Sequence, residues 1–502
     1  MKALRLYPQF TKLGFQQGTR LFMDATRKNL DRYLSFIDKA KGQPNLLGYV
    51  LFDEPIIQSI DQAAVGRFLY AAYNQTDGYH PILTNYSSHI PDVPHATSFL
   101  DILCIDPYWM PGSHETRGRH SIHFVAHMTH RLRRRSERDR KVPWVMPMLE
   151  YYSGMWRRFQ LPEEQRCQTY LALIHGAKAI YYYLYWAFTP QMWDALTDLA
   201  GQMKRLGPAA LQPSLPQNVV CTPGVYSFDE GRFPDVQARL FRRPDGGYLL
   251  LSTNTRSYPV DVEMTCALLP NGAIVRRLFG EGAGTVGNGH FSEQLEPFAT
   301  RAYAFEAPAP APTMPVDVTV KMKPHPDKAP EVTPSPRRFT GERNNMIANP
   351  SLEEATLPGW PDFFKPIQYR AGSLGREFVL DTGNAYHGQR CVKLVSDGKL
   401  NPTLYFHEGD ASHNDPYTGA ADVEYVLSAY MRADHDGVRV RLKAKIGRGD
   451  AKLTTEWTRY DWKVTLPSRI YFITNPTREG PATVWIDALQ LESGDKPTTF
   501  EP

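Results

Sequence analysis

Gly48-Tyr-Val-Leu-Phe-Asp53-Glu54-Pro55 reads as a buried strand that ends on two carboxyl side chains and a proline. Short apolar runs of this kind suit strands covered on both faces. The runs Ala3–Leu6, Leu46–Phe52, Pro81–Asn85, Ile102–Ile105, Trp144–Leu149 and Ala179–Leu184 share the character. Segments with helical apolar spacing lie between them, from Thr26 to Lys41, Ser59 to Asn74, Ser121 to Arg140 and Pro162 to His175. This alternation predicts parallel βαβ units, and six such strands predict a (β/α)8 barrel rather than a doubly wound sheet.

Only one strand and one helix precede the Asp53-Glu54-Pro55 strand end. The expectation is therefore an incomplete α/β barrel over residues 1–212 that lacks the first two strands, its open edge covered by loops or by a second copy in a homo-oligomer. From about residue 213 the helical spacing disappears. Short alternating strands predict a small β-sandwich over 213–306, and the frequent prolines of 307–340 predict an extended linker. Residues 341–502 repeat the all-β pattern at jelly-roll length.

The chain has 502 residues, with 57 Lys plus Arg against 53 Asp plus Glu, a net charge of +4. So small a charge on so large a molecule gives no field that steers toward nucleic acid, and no apolar run is long enough to span a bilayer. Neither nucleic acid nor membrane is an expected partner. The five cysteines are widely separated and show neither a disulfide framework nor metal-ligand spacing. The N-terminal stretch lacks the apolar core of a secretory signal. Aromatic residues make up 12% of the chain, which permits sugar stacking.

Active sites of (β/α)8 barrels sit just past the C-terminal strand ends. There the sequence places Asp53 and Glu54 after one strand and Glu150, followed by Tyr151 and Tyr152, after another. Cleaving a glycosidic bond needs one protonated carboxyl for the leaving oxygen and one carboxylate for the anomeric carbon. Two carboxyl groups at strand ends, flanked by aromatics, fit that need.

The series Leu-Phe-Asp53-Glu54-Pro55, His80-Pro-Ile-Leu-Thr84, Ile105-Asp106-Pro107-Tyr108-Trp109, Pro147-Met-Leu-Glu150 and His175-Gly-Ala-Lys-Ala-Ile-Tyr-Tyr-Tyr183 resembles clan A retaining glycoside hydrolases over about the first 210 residues. The resemblance implies Glu54 as acid/base at the fourth strand and Glu150 as nucleophile at the seventh. It also implies sugar contacts from Asp53, Asp106, Tyr108, Trp109, Tyr151 and Trp186. Asp53 stands where the clan usually has Asn. The implied activity is double-displacement cleavage of β-glycosidic bonds in a polysaccharide such as a β-glucan or cellulose, without a catalytic cofactor. A β-galactosidase-type exo-glycosidase and a non-catalytic carbohydrate-binding scaffold are the alternatives. A polysaccharide or oligosaccharide partner implies an extracellular or periplasmic location.

Asn349-Pro-Ser-Leu-Glu353, Gly359-Trp360 and Val484-Trp-Ile-Asp487-Ala-Leu-Gln-Leu-Glu492 resemble jelly-roll carbohydrate-binding modules. That resemblance implies a structural Ca²⁺ held by Glu353 and Asp487, with Trp360, Tyr405 and Trp457 as available aromatics. Two motifs are set aside. Gly282-Ala-Gly284-Thr-Val-Gly287 has no helix after it to hold a pyrophosphate. His120, His123, His127 and His130 lack the zinc-protease pattern and predict a solvated outer helix.

Overall fold

The computed structural model describes residues 27–43, 46–57, 61–76, 78–87, 90, 97–109, 122–149, 158–183, 187–222, 225–228, 231–269, 271–280, 282–287, 289–306, 314–324, 345–370, 372–407, 423–444, 448–466 and 470–502. The expected strand Ala3–Leu6 lies outside them.

The N-terminal region runs α1 (Arg27–Ala40), β1 (Tyr49–Asp53), α2 (Gln62–Gln75), β2 (Ile82–Tyr86), β3 (Ile102–Ile105), α3 (His123–Asp139), β4 (Val142–Val145), α4 (Pro162–Ile174), β5 (Ala179–Ile180) and α5 (Pro190–Ala210). The five strands pair in sequential order β1-β2-β3-β4-β5, every pair parallel. Sequential order without a reversal is the winding of a barrel wall, since a doubly wound sheet reverses at a switch point. Side chains alternate across this wall. Phe52, Ile82, Tyr86, Leu103, Ile105 and Val145 face outward against α1, α2 and α3, whereas Leu83, Cys104, Met146 and Tyr181 form the inner layer.

The second region contains β6 (Gln217–Thr222), β7 (Val225–Phe228), β8 (Gly231–Pro234), β9 (Val236–Arg242), β10 (Tyr248–Asn254), β11 (Val260–Cys266), β12 (Ile274–Arg277), β13 (Ala283–Thr285), β14 (His290–Leu295), β15 (Thr300–Phe305) and β16 (Val316–Pro324). Two sheets, β13-β12-β15-β10-β9 and β14-β11-β16-β6, make the sandwich. Strand β16 corrects the expected linker over 307–340. Val316, Val318, Val320 and Met322 alternate with polar residues and are all buried, so the segment inserts between β11 and β6 and completes the sheet. Its period of two outweighs the flanking prolines.

The sandwich is fused to the barrel wall. Tyr170, Leu173, Ile174, Leu199 and Leu206 of α4 and α5 share a core with Phe241, Leu249 and Leu251. Helix α3 contributes too, which corrects the expected solvated histidine helix. His123 and His127 are 4% and 8% exposed. His123 Nε2 lies 3.0 Å from Thr255 Oγ1 and 3.3 Å from the Pro234 carbonyl, and His127 packs edge-on to Phe233. Helical spacing located the face; the sandwich that covers it is remote in sequence.

The third region contains β17 (Lys365–Ile367), β18 (Phe378–Asp381), β19 (Cys391–Ser396), β20 (Thr403–His407), β21 (Tyr425–Ala433), β22 (Arg439–Lys443), β23 (Arg448–Lys452), β24 (Thr458–Val464), β25 (Ile470–Thr474) and β26 (Ala482–Ser493). Its sheets are β17-β20-β25-β22-β23 and β18-β19-β26-β21-β24. This jelly roll is no loosely tethered appendage. Its apolar core runs without a break into Met148, Phe159 and Phe188 of the barrel region. The Phe188 ring meets Phe159, Trp360, Tyr369 and Phe378 at centroid distances of 4.8, 5.7, 5.1 and 5.7 Å. Backbone amides of Gly372 and Leu374 donate to the carbonyls of Ala187 and Phe188.

Candidate active site at the strand ends

Strand β1 contains a bulge. Val50 pairs with Leu83, but Phe52 pairs with Thr84 and Asp53 with Asn85, so one residue is inserted. A bulge changes which side chain faces the inner surface. Here it brings Asp53 level with Asn85 of β2, two residues beyond Leu83 of the inner apolar layer. Asp106 lies two residues beyond Cys104 of the same layer. Three adjacent parallel strands thus deliver Asp53, Asn85 and Asp106 to one place.

The Asn85 amide bridges the two carboxyl groups. Its Nδ2 donates to Asp53 Oδ1 at 2.8 Å and to Asp106 Oδ2 at 3.1 Å. Glu54 follows with φ at +45°, a left-handed conformation that is uncommon outside glycine and recurs at functional sites. Its amide donates to the Asn85 carbonyl at 2.8 Å, which fixes the turn. Asp106 is 5% exposed. Burial, then the charge of Glu54, hold its carboxyl well above the usual range, and its side chain hydrogen-bonds Glu54. Burial also raises Asp53, partly offset by the Asn85 hydrogen bond. The upward shift favours the protonated form of Asp106 beside Glu54 over a wider range of pH than for a free carboxyl.

Tyr108 and Tyr183 stack at 5.8 Å with planes 25° apart. Burial, Asp106 and Asp53 push the Tyr108 hydroxyl upward, so it stays a neutral hydrogen-bonding group. Tyr183 sits at the end of the wall, where its carbonyl accepts from the Leu149 amide at 2.6 Å. Glu150 is the next residue. Glu150, Tyr151 and Trp186 lie outside the described residues.

Trp109 does not join the carboxyl cluster. It is 5% exposed and packs with Ile122, Val125, Ala126, Cys167, Leu171 and Phe233, so its faces are occupied by core side chains between the wall and the sandwich. Asn85 and Tyr183 belong to the site although their sequence signal was modest. Asn85 holds the strand-end position of β2, and Tyr183 continues the inward alternation of Tyr181.

The expected Ca²⁺ pair behaves otherwise. Glu353 Oε1 accepts from the amides of Gln389 and Arg390, and Asp487 Oδ2 accepts from those of Tyr386 and His387. Asp487 Oδ1 accepts from the Ala488 amide. Most lone pairs a hard cation needs are directed at N–H groups, and among the described residues no group of three or more His, Cys, Asp or Glu could hold a metal. The residues do not fit Ca²⁺; they clamp the 386–390 turn instead. Trp360 and Tyr405, 1% and 4% exposed, are core residues.

No protein-family model and no curated protein matches the chain. Among solved structures it is similar to an Anoxybacillus alpha-amylase, at 12% identity and TM-score 0.37 over 57% of this chain and 65% of that one. It is also similar to a GH30 endoxylanase from Clostridium papyrosolvens C71, at 12% identity and TM-score 0.34 over 56% of this chain and 72% of that one. A third is the isomaltodextranase of Arthrobacter globiformis T6 complexed with panose, at 13% identity and TM-score 0.33 over 86% of this chain and 65% of that one. This chain thus spans about two thirds of the length of these proteins. At such identities and TM-scores the functional reading rests on the site.

Proposed function

We propose that the chain is a glycoside hydrolase that cleaves β-glycosidic bonds in a polysaccharide by double displacement. Glu54 is the acid/base and Glu150 the nucleophile. The observation that carries this reading is the Asp53–Asn85–Asp106 chain beside Glu54, gathered from the ends of three consecutive parallel strands. Protonated Asp106 is the donor that keeps a hydrogen available to Glu54, and Glu54 passes it to the leaving oxygen. The leaving group departs with that proton as Glu150 bonds the anomeric carbon; in the second step Glu54, now a carboxylate, takes a proton from the attacking water, whose oxygen displaces the Glu150 carboxylate. Tyr108 and Tyr183 give the sugar a stacked aromatic boundary.

The test is turnover of chromogenic β-glycosides and soluble β-glucans by wild type and E54Q. Replacing Glu54 should lower kcat/KM by about 10²- to 10⁴-fold, the usual weight of a general acid–base. Nuclear magnetic resonance of the first-formed anomer should show retention. Wild-type activity in E54Q would remove Glu54 from the mechanism, and inversion would remove the covalent step.

One observation favours a second reading, a non-catalytic carbohydrate-binding scaffold. Tyr108 and Tyr183 also pack against the apolar core of the jelly roll, so the aromatic boundary has a structural use. Binding of an oligosaccharide by calorimetry, with no hydrolysis of any β-glycoside, would select this alternative.

A further inference from the structure

The outward face of the β18-β19-β26-β21-β24 sheet carries side chains that no core uses. Strand pairing aligns Lys393, Trp485 and Arg432 in one row across β19, β26 and β21. Their neighbours Val392, Leu394, Ile486, Met431 and Ala433 point the other way, into the core. Tyr430 lies two residues from Arg432 and pairs with Arg459 of β24.

These groups interleave cations and rings. Lys393 Nζ is 5.6 Å and Arg432 Cζ 4.5 Å from the Trp485 ring centroid. Arg432 also lies 5.7 Å from Trp457, and Arg459 lies 5.7 Å from Tyr430. Tyr386, 43% exposed, stacks on Tyr430 at 3.6 Å and approaches Trp457 at 6.0 Å.

The cations make no contact ion pair among the described residues. Arg432 donates to the Asn384 amide oxygen, and Arg459 donates to Ser428 Oγ and the Thr498 carbonyl. Among the described residues neither they nor Lys393 form an ion pair. The Asp381 carboxylate beside the Trp485 row accepts from the Trp485 indole, Asn384 and the Gly383 amide, and among the three cations only Lys393 acts on its charge, without a hydrogen bond. Elsewhere on the same jelly roll the exposed Arg441 is paired with Asp450 through two parallel hydrogen bonds.

We propose that this face binds an acidic polysaccharide, one carrying carboxylate or sulfate groups along its chain. Tyr386 and Trp457 supply the stacking faces for sugar rings, and Lys393, Arg432 and Arg459 receive the anionic groups. A neutral glucan has no use for three cations on a face where Asp381 is the charge neighbour of Lys393 alone, whereas guanidinium groups recognise carboxylate and sulfate oxygens in bidentate fashion. The site lies on the jelly roll and is independent of the hydrolytic reading, so it is tested in the E54Q background, where hydrolysis plays no part.

The full chain is run in native gels containing polygalacturonate, dextran sulfate or a neutral β-glucan at low ionic strength. Retardation by the two acidic polymers, lost at high salt and much weaker with the neutral glucan, is expected. K393Q and R432Q should each weaken it about tenfold, the usual scale for one charged hydrogen bond. Among the described residues the Lys393 side chain makes no hydrogen bond, and it lies over the Trp485 ring, so K393Q keeps the test valid if R432Q unfolds, and melting temperatures identify that case. No retardation, retardation unchanged in K393Q, or equal retardation by the neutral glucan would overturn the proposal. Equal retardation by double-stranded DNA would overturn it as well, because it would mark a general polyanion surface.

Discussion

At Asp106 the local chemistry has a measurable sign. Its carboxyl titrates above the usual range in the folded protein, so the unfolded chain releases this proton first as pH rises. Stability contributed by the protonated state is complete below about pH 4, where both forms hold the proton, and is lost as pH rises toward the folded value. D106N keeps a neutral group there and should therefore raise the melting temperature more at pH 7 than at pH 4. An equal gain at both pH values would show that Asp106 is ionised in the fold. The strand-end signature exposed Asp53, Glu54, Asp106 and Tyr108 to a reading of the sequence, because each follows a short apolar run. Asn85 was not distinguishable from an ordinary strand residue, since the bulge that levels it with Asp53 leaves no mark in Gly48-Tyr-Val-Leu-Phe52. Trp109 looked equivalent to Tyr108, yet adjacent residues point to opposite sides and Trp109 went to the core.

Among the elements, α3 shows how a surface becomes an interface. Burial holds His123 down to about 4, with the Pro234 carbonyl opposing and Arg256 reinforcing the shift. Asp235 lies 3.9 Å away and forms an ion pair with Arg256. His123 is therefore neutral in the fold near pH 5, where the unfolded chain takes up a proton. Stability is complete above about pH 6.5 and falls as pH drops toward 4, by about 3 kcal/mol for this one residue. Urea titrations of wild type and H123Q should show the variant's deficit at pH 8 shrinking by about that amount near pH 4.5; a constant deficit would mean that His123 is protonated in the fold. Strands were legible where their apolar runs were short and bounded, as at Ile102–Ile105. The β16 alternation was equally regular, but the prolines on both sides suggested a spacer. The helical period of α3 was legible, while its partner, the β8–β10 region, lies more than a hundred residues downstream and leaves no trace in α3.

For the whole molecule, the joint is Phe188. It is 2% exposed and belongs to a core supplied by both the barrel region and the jelly roll. F188A should cost about 3–5 kcal/mol, as for other buried aromatic truncations. Calorimetry should then resolve the jelly roll as a separate transition, whereas wild type unfolds with it coupled. An unchanged single transition in F188A would mean that the coupling lies elsewhere.

The shared core around Phe188 has a consequence for how this molecule can be divided. Covalent continuity between the sandwich and the jelly roll is secondary to the contact between the jelly roll and the strand ends. A split-protein experiment should therefore succeed where a swap of modules fails. Residues 1–330 and 331–502, expressed as separate chains, should find each other and co-elute as a stoichiometric pair. A foreign jelly roll grafted after residue 330 would leave Met148, Phe159 and Phe188 facing water, and that chimera should aggregate.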